Sequence, residues 1–326
     1  MSKVKAGAIL LAAAGLCGVL LSASARQEEP KERTLEIVET VLIDIPAGLS
    51  ELRLWVPRLP EDAFQSAELL EVEAPWPYQA TREPEFGNPM LYFEIGGPAS
   101  GEAQLRIKYR VRRLEQTVPA KDAVSVHHTQ GRGLVVLNDE VRRIARTATA
   151  GITGSREKGE ALFRYVLSRM DYDTSGTGWG RGDVVYACEV GKGNCTDFHS
   201  LFIALARAEG IPARFKMGYP LPETPAGPVV KPYHCWAEFH VAGEGWIPVD
   251  ISEAWKQPAR ADDYFGRLDA DRVLVSTGRE IRLSPAQSGK PLNYLSRPYA
   301  EADGKPLYDV RIRRTYTNIP KGENQT

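Results

Sequence analysis

Apolar and polar residues alternate with a period of two in the first third of the chain. Thr34 to Ile43, Leu52 to Val56 and Gln104 to Val111 each set one apolar face against one polar face, as half-buried strands do. Pro46-Ala47-Gly48, Pro57 to Pro60 and Gly96-Gly97-Pro98 separate these runs as turns. Short strands with such punctuation predict a small β-sandwich-like domain over residues 34–120. From about residue 136 the period lengthens to that of a helix. Val141, Ile144, Ala145 and Ala148 form one apolar face, and Leu162, Tyr165, Val166 and Met170 another. A third face, Phe198, Leu201, Phe202 and Leu205, has Asn194 as its N-cap and Asp197 in its first turn. Gly210 and Pro212 end it. Period two returns over 213–219. It continues in a hairpin, Tyr233 to Val241 and Gly245 to Ile251, across the turn Ala242-Gly243-Glu244. Shorter strand signals follow at 272–275, 281–283 and 310–313. The pattern predicts an α+β core over 136–258, with a helix packed on an antiparallel sheet. The sandwich precedes it, and a β-rich extension of the core follows over 259–320. Residues 26–33 read as a charged linker and 321–326 as a disordered tail.

The 326 residues suffice for two ordinary domains and a sizeable core. The first 25 are set apart from that core. Lys3 and Lys5 precede an apolar run from Ala6 to Leu21, and Ala23-Ser24-Ala25 supplies a small-residue cleavage site. This is the pattern of a secretory signal peptide, and the run falls short of the ~20 residues of a spanning helix. The chain is therefore expected to be exported, periplasmic or secreted, with no membrane association after signal removal; the alternative is an anchor formed by an uncleaved N-terminal segment. The formal charge of −1 gives no basic excess to offset phosphate, which argues against a nucleic-acid partner. Of four cysteines, Cys17 lies in the leader, leaving Cys188, Cys195 and Cys235. An odd number in an oxidising compartment leaves at least one free thiol. Cys195 is the natural one, with Cys188 and Cys235 either paired or both buried.

Cys195 opens the third helix, where free N–H groups and the positive helix end favour a thiolate. In the hairpin, His234, Trp236, Glu238 and His240 share one face, and Cys235, Ala237, Phe239 and Val241 the other, apolar one. If Val241 pairs with Gly245, then Trp236 faces Asp250 and His234 faces Ser252. His234 and Asp250 become diagonal neighbours on one face. A carboxylate on one imidazole nitrogen orients the ring while the other nitrogen reaches a thiol, which is the logic of a nucleophilic triad. A slip of one residue would undo it. His199, one helical turn after Cys195, has no carboxylate placed to orient it and is assigned to packing. A zinc site from Cys188, Cys195, His234 and Cys235 has the wrong spacing, and His234 and Cys235 point to opposite faces. Asp171, Asp173, Ser175 and Gly176 begin like a calcium loop, but Gly182 stands where a glutamate is needed. No metal or cofactor is expected. The glycine-rich stretch 171–183 reads as a mobile loop beside the cleft, with Trp179 as a lid, substrate contact or second oxyanion donor. Trp236 is a further candidate contact. His127-His128 reads as solvated, as does the face where Arg260, Arg267 and Arg272 alternate with Asp262, Asp263, Asp269 and Asp271.

Four segments together resemble the transglutaminase-like superfamily in its bacterial secreted form. They are Gly193-Asn194-Cys195-Thr196-Asp197, Ala206 to Arg214, His234-Cys235-Trp236-Ala237-Glu238 and Gly245 to Asp250. The resemblance covers about Asn138 to Trp255. It implies a papain-like α+β core and a Cys-His-Asp triad, carried over here to Cys195, His234 and Asp250. The implied function is an exported, thiol-dependent acyl-transfer enzyme acting on amide bonds of a peptide or protein through a thioester. The alternative is a catalytically silent exported module that holds peptide in the same cleft.

Overall fold

The computed structural model describes residues 30–222 and 233–320. The signal-peptide, tail and most of the linker expectations, and the proline-rich stretch after Pro222, lie outside them. Among the described residues no helix is long and apolar enough to cross a membrane.

The chain begins with six strands: β1 Glu32–Ile45, β2 Glu51–Pro57, β3 Gln65–Glu73, β4 Gln79–Arg82, β5 Pro89–Gly96 and β6 Gly101–Leu114. Helices α1 Asp139–Ala148 and α2 Ser155–Arg169 follow, then the two-residue strand β7 Asp171–Tyr172, helix α3 Val184–Val190 and strand β8 Lys192–Gly193. Helix α4 Cys195–Ala208 leads into β9 Ala213–Pro220, β10 His234–Val241 and β11 Gly245–Val249. The chain ends with α5 Ile251–Lys256, β12 Arg272–Thr277, β13 Tyr299–Ala302, β14 Lys305–Leu307 and β15 Val310–Ile319.

Two sheets, β15-β1-β6-β3 and β14-β13-β2-β5-β4, form the sandwich. Their inner faces meet in one cluster that includes Ile37, Val41, Leu54, Phe93, Ile107 and Val111, as the period-two pattern requires. The third sheet, β11-β10-β9-β12, is the core sheet. Helix α4 packs on one of its faces, with Phe198, Phe202, Phe215, Cys235 and Phe239 in a shared cluster. Tyr219, Leu221, Val273 and Val275 project from the other face into the sandwich cluster. The core sheet is thus covered on both sides. Nearly every residue of β9 and β10 is buried in consequence, polar ones included.

The expectation that 259–320 extends the core is corrected by the pairing. Only β12 joins the core sheet, beside β9. β13 pairs with β2, and β15 pairs with β1 from Thr34↔Ile319 to Ile43↔Val310. The reason is edge closure. β1 and β2 would otherwise each expose an unpaired edge, and the last strands cover both.

Candidate functional site

Helix α4 starts where its sequence says it should. Asn194 accepts the Thr196 N–H at 2.9 Å, and Asp197 accepts the Asn194 N–H at 2.9 Å, a reciprocal cap. Asp197 does more than the cap requires. Its carboxylate also takes the Gly180 N–H at 2.6 Å and the Gly182 N–H at 2.9 Å, which ties the glycine-rich loop to the first turn of α4. Arg279 clamps the same loop from the other side, donating to the Gly182 carbonyl at 2.9 Å and the Arg181 carbonyl at 2.7 Å. Within that loop Trp179 donates its indole N–H to the Gly176 carbonyl at 3.2 Å. The donor proposed for an oxyanion is spent inside its own loop.

The hairpin pairs Val241 with Gly245 and Ala237 with Val249, the register expected from its turn. β11 stops at Val249, however, and Asp250 caps α5 instead of continuing the strand. The pairing of His234 with Ser252 across two strands is therefore corrected. Helix α5 brings Ser252 back, and its hydroxyl donates to Asp250 Oδ1 at 3.1 Å, as does the Glu253 N–H. The diagonal contact survives the change: His234 Nε2 lies 2.7 Å from Asp250 Oδ2.

With Nε2 occupied by Asp250, the Nδ1 edge of His234 is the one left for Cys195. The Cys195 thiol is held well below the ordinary cysteine range, first by a hydrogen bond with the Cys235 thiol. Burial opposes this, and the hydrogen bond and charge of His234 add to it. Burial would depress His234, but Asp250 and Cys195 outweigh it and raise its pKa to about 10. Burial would likewise raise Asp250, yet His234 and Arg272 hold it well below the usual carboxylate range. All three shifts favour a thiolate on Cys195, a proton on His234 and a bare carboxylate on Asp250. Cys195 is 3% exposed and Asp250 fully buried.

The structure corrects the expectation that Arg272 belongs to a solvated face. Arg272 is 3% exposed, donates to Asp250 Oδ2 at 2.7 Å and to Asp269 at 2.9 Å, and lies 5.2 Å above the Trp236 ring. Its alternation with Asp269 and Asp271 looked like surface. The signal available in the sequence was its place at the head of a strand reading Arg-Val-Leu-Val. Trp236 is a packing residue here, buried among Leu268 and Leu274. His199 is fully buried and accepts the Ile251 N–H at 3.0 Å. Asp250 approaches it at 3.7 Å, so a carboxylate is nearby after all, but burial lowers its pKa to about 4 and keeps it neutral. Cys188 and Cys235 are both free, Cys188 half-buried and Cys235 fully buried beside the Cys195 thiol; they do not form a pair. The expectation that His128 is solvated is corrected too: it is 6% exposed and packs edge-on against Trp246.

A cavity of about 980 Å³ opens on this site, lined among others by His234, Tyr172, Lys256, Tyr264 and Arg272. A second, of about 850 Å³, adjoins it at Tyr233.

Residues 142–251 match the family model of the transglutaminase-like superfamily. An uncharacterized protein of Haemophilus influenzae is 27% identical, over 94% of this chain and 95% of its own length. A solved structure from Cytophaga hutchinsonii, proposed to be a cysteine protease, is similar with a TM-score of 0.55 at 13% identity. It covers 89% of this chain and 92% of that one. The periplasmic domain of TgpA from Pseudomonas aeruginosa covers 69% of this chain and 90% of that one, at 16% identity and a TM-score of 0.38. The matched segment contains Cys195, His234 and Asp250, and its α4-on-sheet arrangement is the fold expected of it. The transglutaminase-like match thus falls on the part of the chain that holds α4, the core hairpin and all three of these residues.

Proposed function

We propose that the protein is an exported thiol enzyme that transfers acyl groups from amide bonds of peptides or proteins. The observation that carries this reading is His234 standing between Cys195 and Asp250, with Nε2 bound to the carboxylate at 2.7 Å. Export rests on the leader pattern of residues 1–25.

In this reading the Cys195 thiolate attacks the amide carbonyl carbon, and the carbonyl electrons move to oxygen. The Cys195 backbone N–H, the first of α4, receives the oxyanion. The imidazolium of His234 gives its Nδ1 proton to the leaving amine as the C–N bond breaks, and a thioester remains. Water or an amine then loses its proton to His234 and attacks the thioester. The acid or new amide departs, and the thiolate–imidazolium pair is restored. Asp250 stays ionised throughout and fixes the ring.

The test is release of ammonia or amine from a panel of peptides and cell-wall fragments, wild type against Cys195→Ala. The variant is expected to lose turnover while keeping a cooperative unfolding transition. Turnover retained in Cys195→Ala would overturn the assignment. The near-complete burial of Cys195 favours the second reading, a silent peptide-binding module. A thiol-reactive probe separates the two. An enzyme gives labelling at acidic pH that depends on His234; a binder gives an ordinary or inert thiol.

A further inference from the structure

The cavity of about 850 Å³ beside the site is not used by the chemistry above, and its walls have one sign of charge. Among its described lining residues are Lys290, Arg297, Arg311 and Arg314, and no acidic side chain. Arg311 and Arg314 are engaged by Asp44, Glu102 and Glu39, which lie outside the lining. Lys290 and Arg297 are exposed, and no described carboxylate stands within ion-pair distance of either. Aromatic surface supplies the rest of the wall. Tyr308 is 81% exposed, and Tyr294 lies 5.8 Å from the Tyr233 ring.

Tyr233 joins this cavity to the nucleophile. It lines both cavities and immediately precedes His234. Its hydroxyl accepts from Asn194 Nδ2 at 2.6 Å, the side chain that caps the Cys195 helix. A chain whose amide reaches Cys195 has the Tyr233–Tyr294 pair as its next surface on that side, and Lys290 and Arg297 beyond it.

We propose that this cavity is a substrate subsite for a peptide segment carrying carboxylates, held by Lys290 and Arg297 while its backbone and apolar atoms lie on Tyr294 and Tyr308. The assignment rests on the amide-directed reading above. It names the class of substrate: acidic peptides, with the charge displaced from the scissile bond by the width of the tyrosine pair. Exposed cations gain little each from one partner, so selectivity comes from two acting together, and it is sensitive to salt.

The experiment uses the full chain with Cys195→Ala, which binds without turnover. Two fluorescein-labelled peptides, one of glutamate, tyrosine and glycine and one with glutamine in place of every glutamate, are titrated by anisotropy at low ionic strength. The glutamate peptide is expected to bind about tenfold more tightly, two exposed charge contacts being worth that much together. Adding Lys290→Glu and Arg297→Glu should abolish or reverse the preference, and Lys290→Gln with Arg297→Gln should abolish it without reversal. Tyr308→Ala should weaken both peptides alike. Equal affinities, no binding of either peptide, or a preference that survives the charge reversal would overturn the subsite. Alkylation of Cys195 in the wild-type chain is measured in parallel. An inert thiol with the glutamate preference intact removes the enzyme reading and leaves the cavity as an acidic-peptide binding site. A reactive thiol with no preference does the opposite.

Discussion

Asp250 is the residue on which the site's charges converge. One oxygen accepts from His234 and Arg272, the other from Ser252 and the Glu253 N–H. Arg272 is a positioning residue in this arrangement, acting through Asp250. Removing it as Arg272→Met leaves a buried carboxylate with one cation fewer, expected to cost about 3 kcal/mol in a denaturant titration. The pH dependence follows in sign. Asp250 is depressed in the folded chain, so its contribution is present above its unfolded pKa and is lost as pH falls through the folded value. Arg272→Met raises that folded value, so acid destabilisation begins at higher pH and the acid limb of kcat/KM moves up with it. His234 is the opposite case. Its pKa is raised to about 10, so its contribution is complete below its unfolded pKa and is lost as pH rises through about 10. An NMR titration of the His234 ring should show a midpoint near that value, falling in Cys195→Ala. Cys235→Ala removes the largest support of the thiolate, so the pH midpoint of Cys195 alkylation should rise. The sequence placed His234 beside Asp250 because parity and turn length set that contact locally, whereas Cys195 joined them only through the family resemblance. Arg272 escaped it because its burial is decided by β9 and by Asp250, both distant in sequence.

At the scale of elements, the first turn of α4 and the glycine-rich loop form one unit. Gly182 has φ +62°, and a Cβ there would lie 2.4 Å from both Ser200 Oγ and Arg279 Nη1. Gly182→Ala is expected to lower stability by about 1–3 kcal/mol, measured as a lower thermal midpoint, through left-handed backbone strain and the clash together. Arg279→Ala should instead speed amide exchange at Gly180 and Gly182 while α4 stays protected. Helix α4, the core-sheet strands and the hairpin register were legible because apolar periodicity and capping are local signals. The ties made by Asp197 were only half legible. A first-turn acid announces a helix start, but not that it reaches back across a loop. The end of β11 was missed because Asp250 reads equally well as a strand residue and as a helix cap, and the chain uses it as the cap.

Over the whole molecule, the core sheet lies between the helices and the sandwich, and the chain's last strands complete the sandwich. Truncation after Pro298 would remove β13, β14 and β15, with Ala300 and Val310 from the sandwich interior. The shortened chain should lose its cooperative unfolding transition in circular dichroism, because β1 and β2 regain open edges and the sandwich that covers the core sheet loses part of its interior. Two layers were legible from period two, but not the return of the C-terminal strands. Strand signals give existence and face, and partner choice is settled by which edges remain open.

The pairing of β15 with β1 also sets how the molecule would respond to load. Thr34 lies opposite Ile319, so the described chain enters and leaves the fold at the same end of one antiparallel ladder. Tension applied between residues 30 and 320 would therefore not shear that ladder. It would part the hydrogen bonds one after another, as a zipper opens. In an optical trap the sandwich should yield at low force by peeling of β15, while α4 and the core hairpin remain folded until that cover has gone.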